Sequence, residues 1–208
     1  MASDPHELVF ADERDPLIGE LADGWSPKRI GVCSDGSRWV IRPTIAEYSV
    51  YRLSERLDMS VIPETRRFRG GSAQRLVDGA LTAHALDGDL YEAVRTPVAV
   101  SDLASIIALD VLIGNADRHA NNWLVGDDGR LIAIDNEFNE PTRVISLYHA
   151  VRPARRTGML DDAEHAPALI AAIRERFKRA EEALAVDLAG QRKELDEWEN
   201  DLVGGSPR

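Results

Sequence analysis

The sequence has little cysteine and no long apolar run. A single cysteine among 208 residues, Cys33, excludes an internal disulfide and a cysteine-rich zinc site, and its apolar surroundings predict a buried, inert thiol. No stretch approaches the roughly 18–20 apolar residues that a membrane-spanning helix requires. With 44% hydrophobic and 29% charged residues, the composition is that of a soluble globular protein.

Basic residues are outnumbered by acidic ones, and lysine is scarce among them. The formal net charge is −11, and only three of the 25 basic residues are lysines. A surface of this sign repels nucleic-acid phosphates and anionic lipid headgroups, so we expect no nucleic-acid or membrane partner. Residues 1–20 are acidic, contain two prolines and show no periodicity, which predicts a flexible segment, no secretory signal and a cytoplasmic protein.

The first half of the chain predicts a small β-rich unit. Residues 29–42 favour two strands around Asp35-Gly36, and a two-residue turn there would place Arg29 opposite Arg42 on one face of the hairpin. A helix over about 44–58 follows, with Glu47 on a stripe at helical spacing. The next 20 or so residues predict a strand and the start of a linker.

The second half predicts a mainly helical unit. The stretch from Ser101 to Gly114 is apolar on nearly all sides, which is typical of a buried helix capped by Ser101 and ended by Gly114. Asp110 within it requires a partner, for which Arg118 or a loop amide is suitable. Two short strands and then two helices follow.

This order of elements favours an α+β fold of two lobes. The small β-rich lobe is expected at 21–80 and the mainly helical lobe at 81–203. Arg152, Arg155 and Arg156 form a basic run in the second lobe. It is either a solvated loop or a docking patch for an acidic or phosphorylated substrate.

Polar side chains gather around the second hairpin. With a two-residue turn at Asp128-Gly129, Asn122 and Asp135 would lie directly opposite each other at its open end. An amide oxygen and a carboxylate at one point suit Mg²⁺, which prefers oxygen ligands. Asp117 and His119 lie in the loop before this hairpin. There Asp117 would stand near the metal pair and accept or orient the proton of an attacking hydroxyl.

The segment DRHANN, followed by LIAID, resembles the catalytic core of the phosphatidylinositol-kinase-like and HipA-like kinases. The resemblance implies a compact two-lobed protein-kinase-like fold that uses ATP and Mg²⁺. It gives Asp117 the part of the catalytic aspartate and His119 a position on the γ-phosphate side, and it makes Asn122 and Asp135 the Mg²⁺ ligands. The longer stretch LDVLIGNADRHANNWLV is most similar to bacterial HipA-like proteins.

The first half carries the same resemblance more loosely. WSPK resembles a phosphate loop ending in Lys28, and WVIRP resembles the strand that carries an ATP-contacting lysine, a position that Arg42 holds here. The resemblance gives Glu47 the part of the acidic residue in the N-lobe helix. SAQRLVDG falls where the adenine hinge is expected, so Gln74 is a candidate for contact with the nucleotide.

Arg42 departs from the family pattern, because arginine is bulkier than lysine, forked and always charged. Three alternatives stay open. Lys28 takes over the phosphate contact, or Arg29 and Arg42 hold the phosphates between them, or nucleotide binds and transfer is weak.

Two classes of function compete at this point. The first is a HipA-like serine/threonine protein kinase that transfers the γ-phosphate of ATP by in-line attack, with a protein as substrate or partner. The second is a pseudokinase, a nucleotide-binding or scaffolding module with little or no transfer activity. Arg42 and the short stretch of about 70 residues after Asp135 support the second class.

A metal hydrolase is disfavoured, because His119 has no second histidine at ligand spacing. The sequence does not specify the acceptor, the oligomeric state or the pathway, nor does it decide between phosphate and AMP transfer.

Overall fold

The computed structural model describes residues 12–14, 29–86, 90–136, 144–160, 162 and 164–204. Lys28, the WSPK segment that contains it and most of the predicted N-terminal segment 1–20 lie outside the described residues. The described chain is α+β, with two antiparallel sheets and several helices.

The larger sheet of the described residues has five antiparallel strands in the order β1-β2-β3-β5-β4. Its strands are β1 (Asp12–Arg14), β2 (Arg29–Val32), β3 (Arg38–Arg42), β4 (Thr65–Phe68) and β5 (Gly71–Arg75). The segment SAQRLVDG, which the sequence suggested as the start of a linker, therefore begins inside a strand. Gln74 lies within that strand, β5.

The hairpin of β2 and β3 differs by one residue from the predicted register. Ile30 lies opposite Val40, and Arg29 lies opposite Ile41. A two-residue type I′ turn requires positive φ at both central residues, whereas in this loop only Gly36 has one, at φ +81°. The loop consequently holds three residues, and side-chain alternation puts Arg29 and Arg42 on opposite faces of the sheet. The predicted pairing of these two arginines is wrong.

Helix α1 (Ala46–Arg56) packs on β4 and β5. The predicted stripe is confirmed, since Glu47, Val50 and Ser54 are all buried. The opposite face of the sheet carries a small apolar cluster of Trp39, Phe68 and Ala73, against which the half-buried Cys33 packs.

The second sheet has three strands, β6 (Leu81–Thr82), β7 (Trp123–Val125) and β8 (Leu131–Ala133). The helices after α1 are α2 (Ala83–Leu86), α3 (Leu90–Ala93), α4 (Pro97–Ile113), α5 (Leu147–Ala150), α6 (Arg152–Arg156), α7 (Ala166–Leu184) and α8 (Ala189–Gly204). The main hydrophobic core lies between α4, α7 and the second sheet, and it includes residues at the end of α1. None of the helices in the described ranges combines the length and apolar composition that a bilayer crossing needs.

The N-terminal cap of helix α4 lies five residues before the predicted cap, Ser101. Thr96 is its cap, with Oγ1 accepting a hydrogen bond of 3.1 Å from the backbone N–H of Ala99, and Pro97 occupies the first turn. Ser101 is therefore inside the helix and does not cap it. Gly114 ends the helix in the left-handed conformation, as predicted, with φ +70°.

The hairpin of β7 and β8 repeats the register difference seen in the first hairpin. Trp123 lies opposite Ala133, and the backbone N–H of Ile134 donates to the carbonyl of Asn122 over 3.0 Å. Only Gly129 has positive φ in this loop, so it also holds three residues. Asn122 is opposite Ile134, and Asp135 follows one position later. The predicted direct opposition of Asn122 and Asp135 is wrong by this one residue.

Candidate active site

A fully buried ion pair lies at the centre of the polar cluster between α4 and the β7–β8 hairpin. Arg118 donates from Nε to Asp110 Oδ2 over 3.0 Å and from Nη2 to Asp110 Oδ1 over 2.7 Å, and neither side chain is exposed. Burial raises the pKa of Asp110, and the Arg118 guanidinium acts against that rise. The prediction that Asp110 needs Arg118 or a loop amide is confirmed on both counts, because Asn115 Nδ2 also donates to Asp110 over 2.9 Å.

Arg118 also joins two separate segments of backbone. Its Nη1 donates to the carbonyls of Asn122 (2.6 Å) and Ile134 (2.7 Å), and its Nη2 donates to Asn136 Oδ1 over 2.6 Å. One guanidinium thus holds the end of the loop that precedes β7 and the residues that follow β8. The candidate metal ligands Asn122 and Asp135 lie on these two segments.

The amide of Asn122 is oriented by the loop. Its Nδ2 donates to the backbone carbonyl of Asp117 over 3.0 Å, and the residue is only 7% exposed. The amide nitrogen is therefore occupied, which leaves Oδ1 as the group that can meet a cation. Asp117 is itself held by Asn115, whose Oδ1 accepts from the Asp117 backbone N–H over 3.1 Å.

Asp117 and His119 present their side chains to solvent next to each other. Asp117 Oδ2 and His119 Nε2 are 4.0 Å apart, and the side chains are 64% and 50% exposed. The Nδ1 of His119 accepts a hydrogen bond of 3.2 Å from the backbone N–H of Asn121. A neutral imidazole in this position carries its proton on Nε2, on the side of Asp117. The carboxylate and the imidazole can therefore act together on an incoming hydroxyl.

Asp135 has an unusual backbone conformation, with φ +55°. Such a conformation costs a non-glycine residue roughly 1–2 kcal/mol, and strain of this kind clusters at functional sites. Arg42 Nη1 lies 3.1 Å from Asp135 Oδ1, with side-chain exposures of 13% and 42% respectively. The residue that replaces the expected lysine thus contacts the carboxylate that was predicted to bind the metal.

Glu47 holds the residue after Asp135. Its Oε1 accepts from the backbone N–H of Asn136 and its Oε2 from Asn136 Nδ2, both over 2.9 Å. Glu47 is 3% exposed, and burial raises its pKa. The hydrogen bonds from Asn136 and the positive charge of Arg42 act in the opposite direction and lower that pKa. This two-point contact ties α1 to the residue that follows the candidate metal carboxylate.

Gln74 points into the same buried region. Its Nε2 lies 3.4 Å from both Glu47 Oε2 and Thr65 Oγ1, and the residue is 4% exposed. A buried polar chain therefore runs from Gln74 through Glu47 and Asn136 to Arg118. A direct contact of Gln74 with a nucleotide stays a prediction, and its observed partners are protein groups.

The structure brings most of the predicted residues to one region and leaves out others. Asn122 and Asp135 lie on the segments that Arg118 joins, Asp117 adjoins Asn122, and Arg42 contacts Asp135. Arg29 is on the other face of the sheet from Arg42.

The chemistry of these groups fits Mg²⁺ and a polyphosphate. Asn122 and Asp135 offer oxygen atoms only, which is the ligand set that Mg²⁺ prefers. Arg42 Nε is buried and has no hydrogen-bond partner among the residues that the structure describes, which leaves one guanidinium donor available for an anionic group. These residues would hold the metal and part of the phosphate chain.

One residue of this site was missed by sequence reasoning. Asn136 is the point where Arg118 and Glu47 meet, and it follows Asp135 directly in the segment IDNEF. Its position directly after the predicted metal ligand Asp135 was one signal that could have identified it. Its contact with Glu47 could not be predicted from spacing, because the two residues are 89 positions apart. The contacts of Arg118 beyond Asp110 were also unforeseen, because its further acceptors are two backbone carbonyls and the Oδ1 of Asn136.

Comparison with known proteins identifies the family of the chain. No curated protein matches the chain. The sequence pattern of the family described as phosphatidylinositol 3- and 4-kinase matches residues 48–178, which is more than half of the chain and includes Asp117, Asn122 and Asp135. A phosphotransferase function follows from this match, and the chain belongs to the phosphatidylinositol 3- and 4-kinase family.

Proposed function

We propose that this chain is an ATP- and Mg²⁺-dependent kinase of the HipA-like kind, with a serine or threonine hydroxyl of a protein as acceptor. Its two-lobed arrangement would divide the chain into 21–80 and 81–203. The observation that carries the proposal is the double anchoring by Arg118, which donates to the carbonyls of Asn122 and Ile134. An amide oxygen and a carboxylate from the two ends of one hairpin would thereby be available to one cation.

The chain's own residues have distinct parts in the reaction. Asp117, exposed and beside His119, orients the acceptor hydroxyl and takes up its proton as the oxygen attacks the γ-phosphorus. The bond between that phosphorus and the bridging oxygen breaks, and ADP leaves. Asn122 and Asp135 would hold Mg²⁺, which neutralises charge on the phosphates. Arg42, and Lys28 by resemblance, would contact the phosphates.

The test separates binding from transfer. Thermal unfolding is measured with ATP, with and without Mg²⁺, and transfer is followed with ATP labelled on either the γ- or the α-phosphate and a broad panel of proteins. We expect Mg²⁺-dependent stabilisation and transfer of the γ-label. Asp117→Asn should keep the stabilisation and lose transfer. Absence of any Mg²⁺-dependent ATP binding would overturn the proposal, and transfer of the α-label would show that AMP is transferred instead.

A pseudokinase is the second candidate, and the Arg42–Asp135 contact favours it. A cation bound to the metal carboxylate competes with Mg²⁺, and arginine does not lose its charge. This function predicts thermal stabilisation by ATP without transfer to any member of the panel. Arg42→Lys would then restore some transfer if the arginine alone prevents it.

A further inference from the structure

A small basic surface lies on the outer side of α5 and α6. The residues beneath it are fully buried, so the surface rests on a rigid base: Leu147, Ala150, Val151 and Ala154. We call the surface the basic platform and define it by four exposed residues: Tyr148, His149, Arg152 and Arg155.

The basic platform adjoins the catalytic loop. Arg152 Nη1 donates to the backbone carbonyl of Ala116 over 3.2 Å, and Ala116 directly precedes Asp117. A chain whose hydroxyl reaches Asp117 therefore passes within a few residues of this surface.

The arginines of the platform are available for a ligand. Many arginines of this protein contact carboxylates, as Arg174 does with Asp196 and Glu199. Among the residues that the structure describes, no carboxylate lies within ion-pair distance of Arg152 or Arg155.

The aromatic residues of the platform orient Arg155. Its guanidinium lies 4.4 Å from the centroid of the Tyr148 ring, and His149 packs edge-on against that ring at 5.7 Å. Stacking restrains the guanidinium and leaves its planar N–H fork for a carboxylate.

We propose that the basic platform binds acidic side chains that flank the accepting serine or threonine of a protein substrate. This inference rests on the proposed function and adds a substrate class to it. Charge complementarity favours a short acidic segment over a membrane. An anionic bilayer would meet a whole side of the protein and be repelled by its net charge of −11. A short peptide would contact only the platform.

Binding is tested by fluorescence anisotropy, without any phosphotransfer. The probes are a labelled short peptide with a central serine flanked by glutamates and its counterpart flanked by glutamines. We expect the glutamate peptide to bind the natural chain about tenfold more tightly. Arg155→Gln should remove most of this preference and, unlike Arg152→Gln, leaves the contact with Ala116 intact. Arg179→Gln on α7 is the matched control and should change nothing.

Three outcomes would overturn the inference. One is equal binding of both peptides, and another is a preference that survives Arg155→Gln and Arg152→Gln. The third is binding, dependent on these arginines, to phosphatidylcholine vesicles that contain phosphatidylinositol 4-phosphate, when the peptides do not bind. Absence of transfer to any acceptor would count against the proposed function alone, whereas equal transfer to both peptides would count against this inference alone.

Discussion

The two arginine–aspartate pairs of the site differ in burial and in hydrogen bonding. Arg118 and Asp110 expose no side-chain surface, and the Arg118 guanidinium makes five hydrogen bonds. Arg42 and Asp135 are 13% and 42% exposed and meet at 3.1 Å, and within the described part of the chain Arg42 Nε has no hydrogen-bond partner. One pair is therefore part of the buried core, whereas under the proposed function the other would exchange its partner for a metal ion and phosphates.

The largest expected effect comes from breaking the buried pair. Arg118→Met leaves the Asp110 carboxylate buried without a cation and removes the support of two backbone carbonyls. We expect the free energy of unfolding to fall by about 3–5 kcal/mol, measured by urea denaturation. The same substitution in the other pair, Arg42→Met, should cost about 1 kcal/mol or less, because that pair is partly solvated. Similar losses of unfolding free energy in Arg118→Met and Arg42→Met would show that the two pairs do not differ in their contribution to stability.

The second-largest effect is expected when the contact between Glu47 and Asn136 is changed. Glu47→Gln puts an amide nitrogen against the Asn136 donors, which should displace Asp135 and weaken Mn²⁺ binding about tenfold. Binding is measured by electron paramagnetic resonance with a non-hydrolysable ATP analogue present. Adding Asn136→Asp should restore affinity, because the carboxylate that this second substitution introduces can accept from both the new amide and Arg118. A double variant as weak as the single one would show that Glu47 does not act through this contact.

A smaller effect is expected at the exchangeable pair itself. Arg42→Ala removes a cation from beside Asp135, so Mn²⁺ should bind about two- to fivefold more tightly when nucleotide is absent. The same variant should bind ATP more weakly, because a phosphate contact is lost. Calorimetric titration with each ligand measures both changes. If Mn²⁺ affinity fell as well, Arg42 would be supporting the carboxylate and not competing for it.

The smallest effect is expected at the ion pair of Arg95 and Asp162, which lie 3.1 Å apart and whose side chains are 34% and 12% exposed. The backbone N–H of Glu164, followed by His165 and Arg95, holds the pKa of Asp162 below its ordinary value of 3.8. A carboxylate with a depressed pKa stabilises the fold above its unfolded-state pKa and loses that contribution as the pH falls below it. Asp162→Asn should thus flatten the decline in stability on acidification below about pH 4.

Urea unfolding of both proteins across this range measures the difference. Asp196→Asn, at an exposed partner of Arg174, is the matched control. Parallel pH profiles for the natural chain and Asp162→Asn would contradict the assigned role of Asp162.

Much of the site was readable from the chain because it is local. Asp117 and Asn122 are five positions apart in one loop, and Asn122 Nδ2 reaches the Asp117 carbonyl. The apolar helix that ends at Gly114 fixes where this loop begins. The register of both hairpins was not readable, because Asp-Gly occurs in two-residue and three-residue loops alike, and only the φ angles decide between them.

Sequence by itself determined which groups can do chemistry here: oxygen ligands on either side of a hairpin, an exposed acid in the preceding loop, and an arginine where lysine was expected. Tertiary structure alone decided which of these groups meet. Glu47 and Asn136 are 89 positions apart along the chain, yet they meet in the fold. Arg42 and Asp135 also come from different halves of the chain and are brought into contact. Spacing along a chain specifies the contacts within an element or a hairpin, whereas contacts between α1, β3 and β8 depend on how their buried faces pack together.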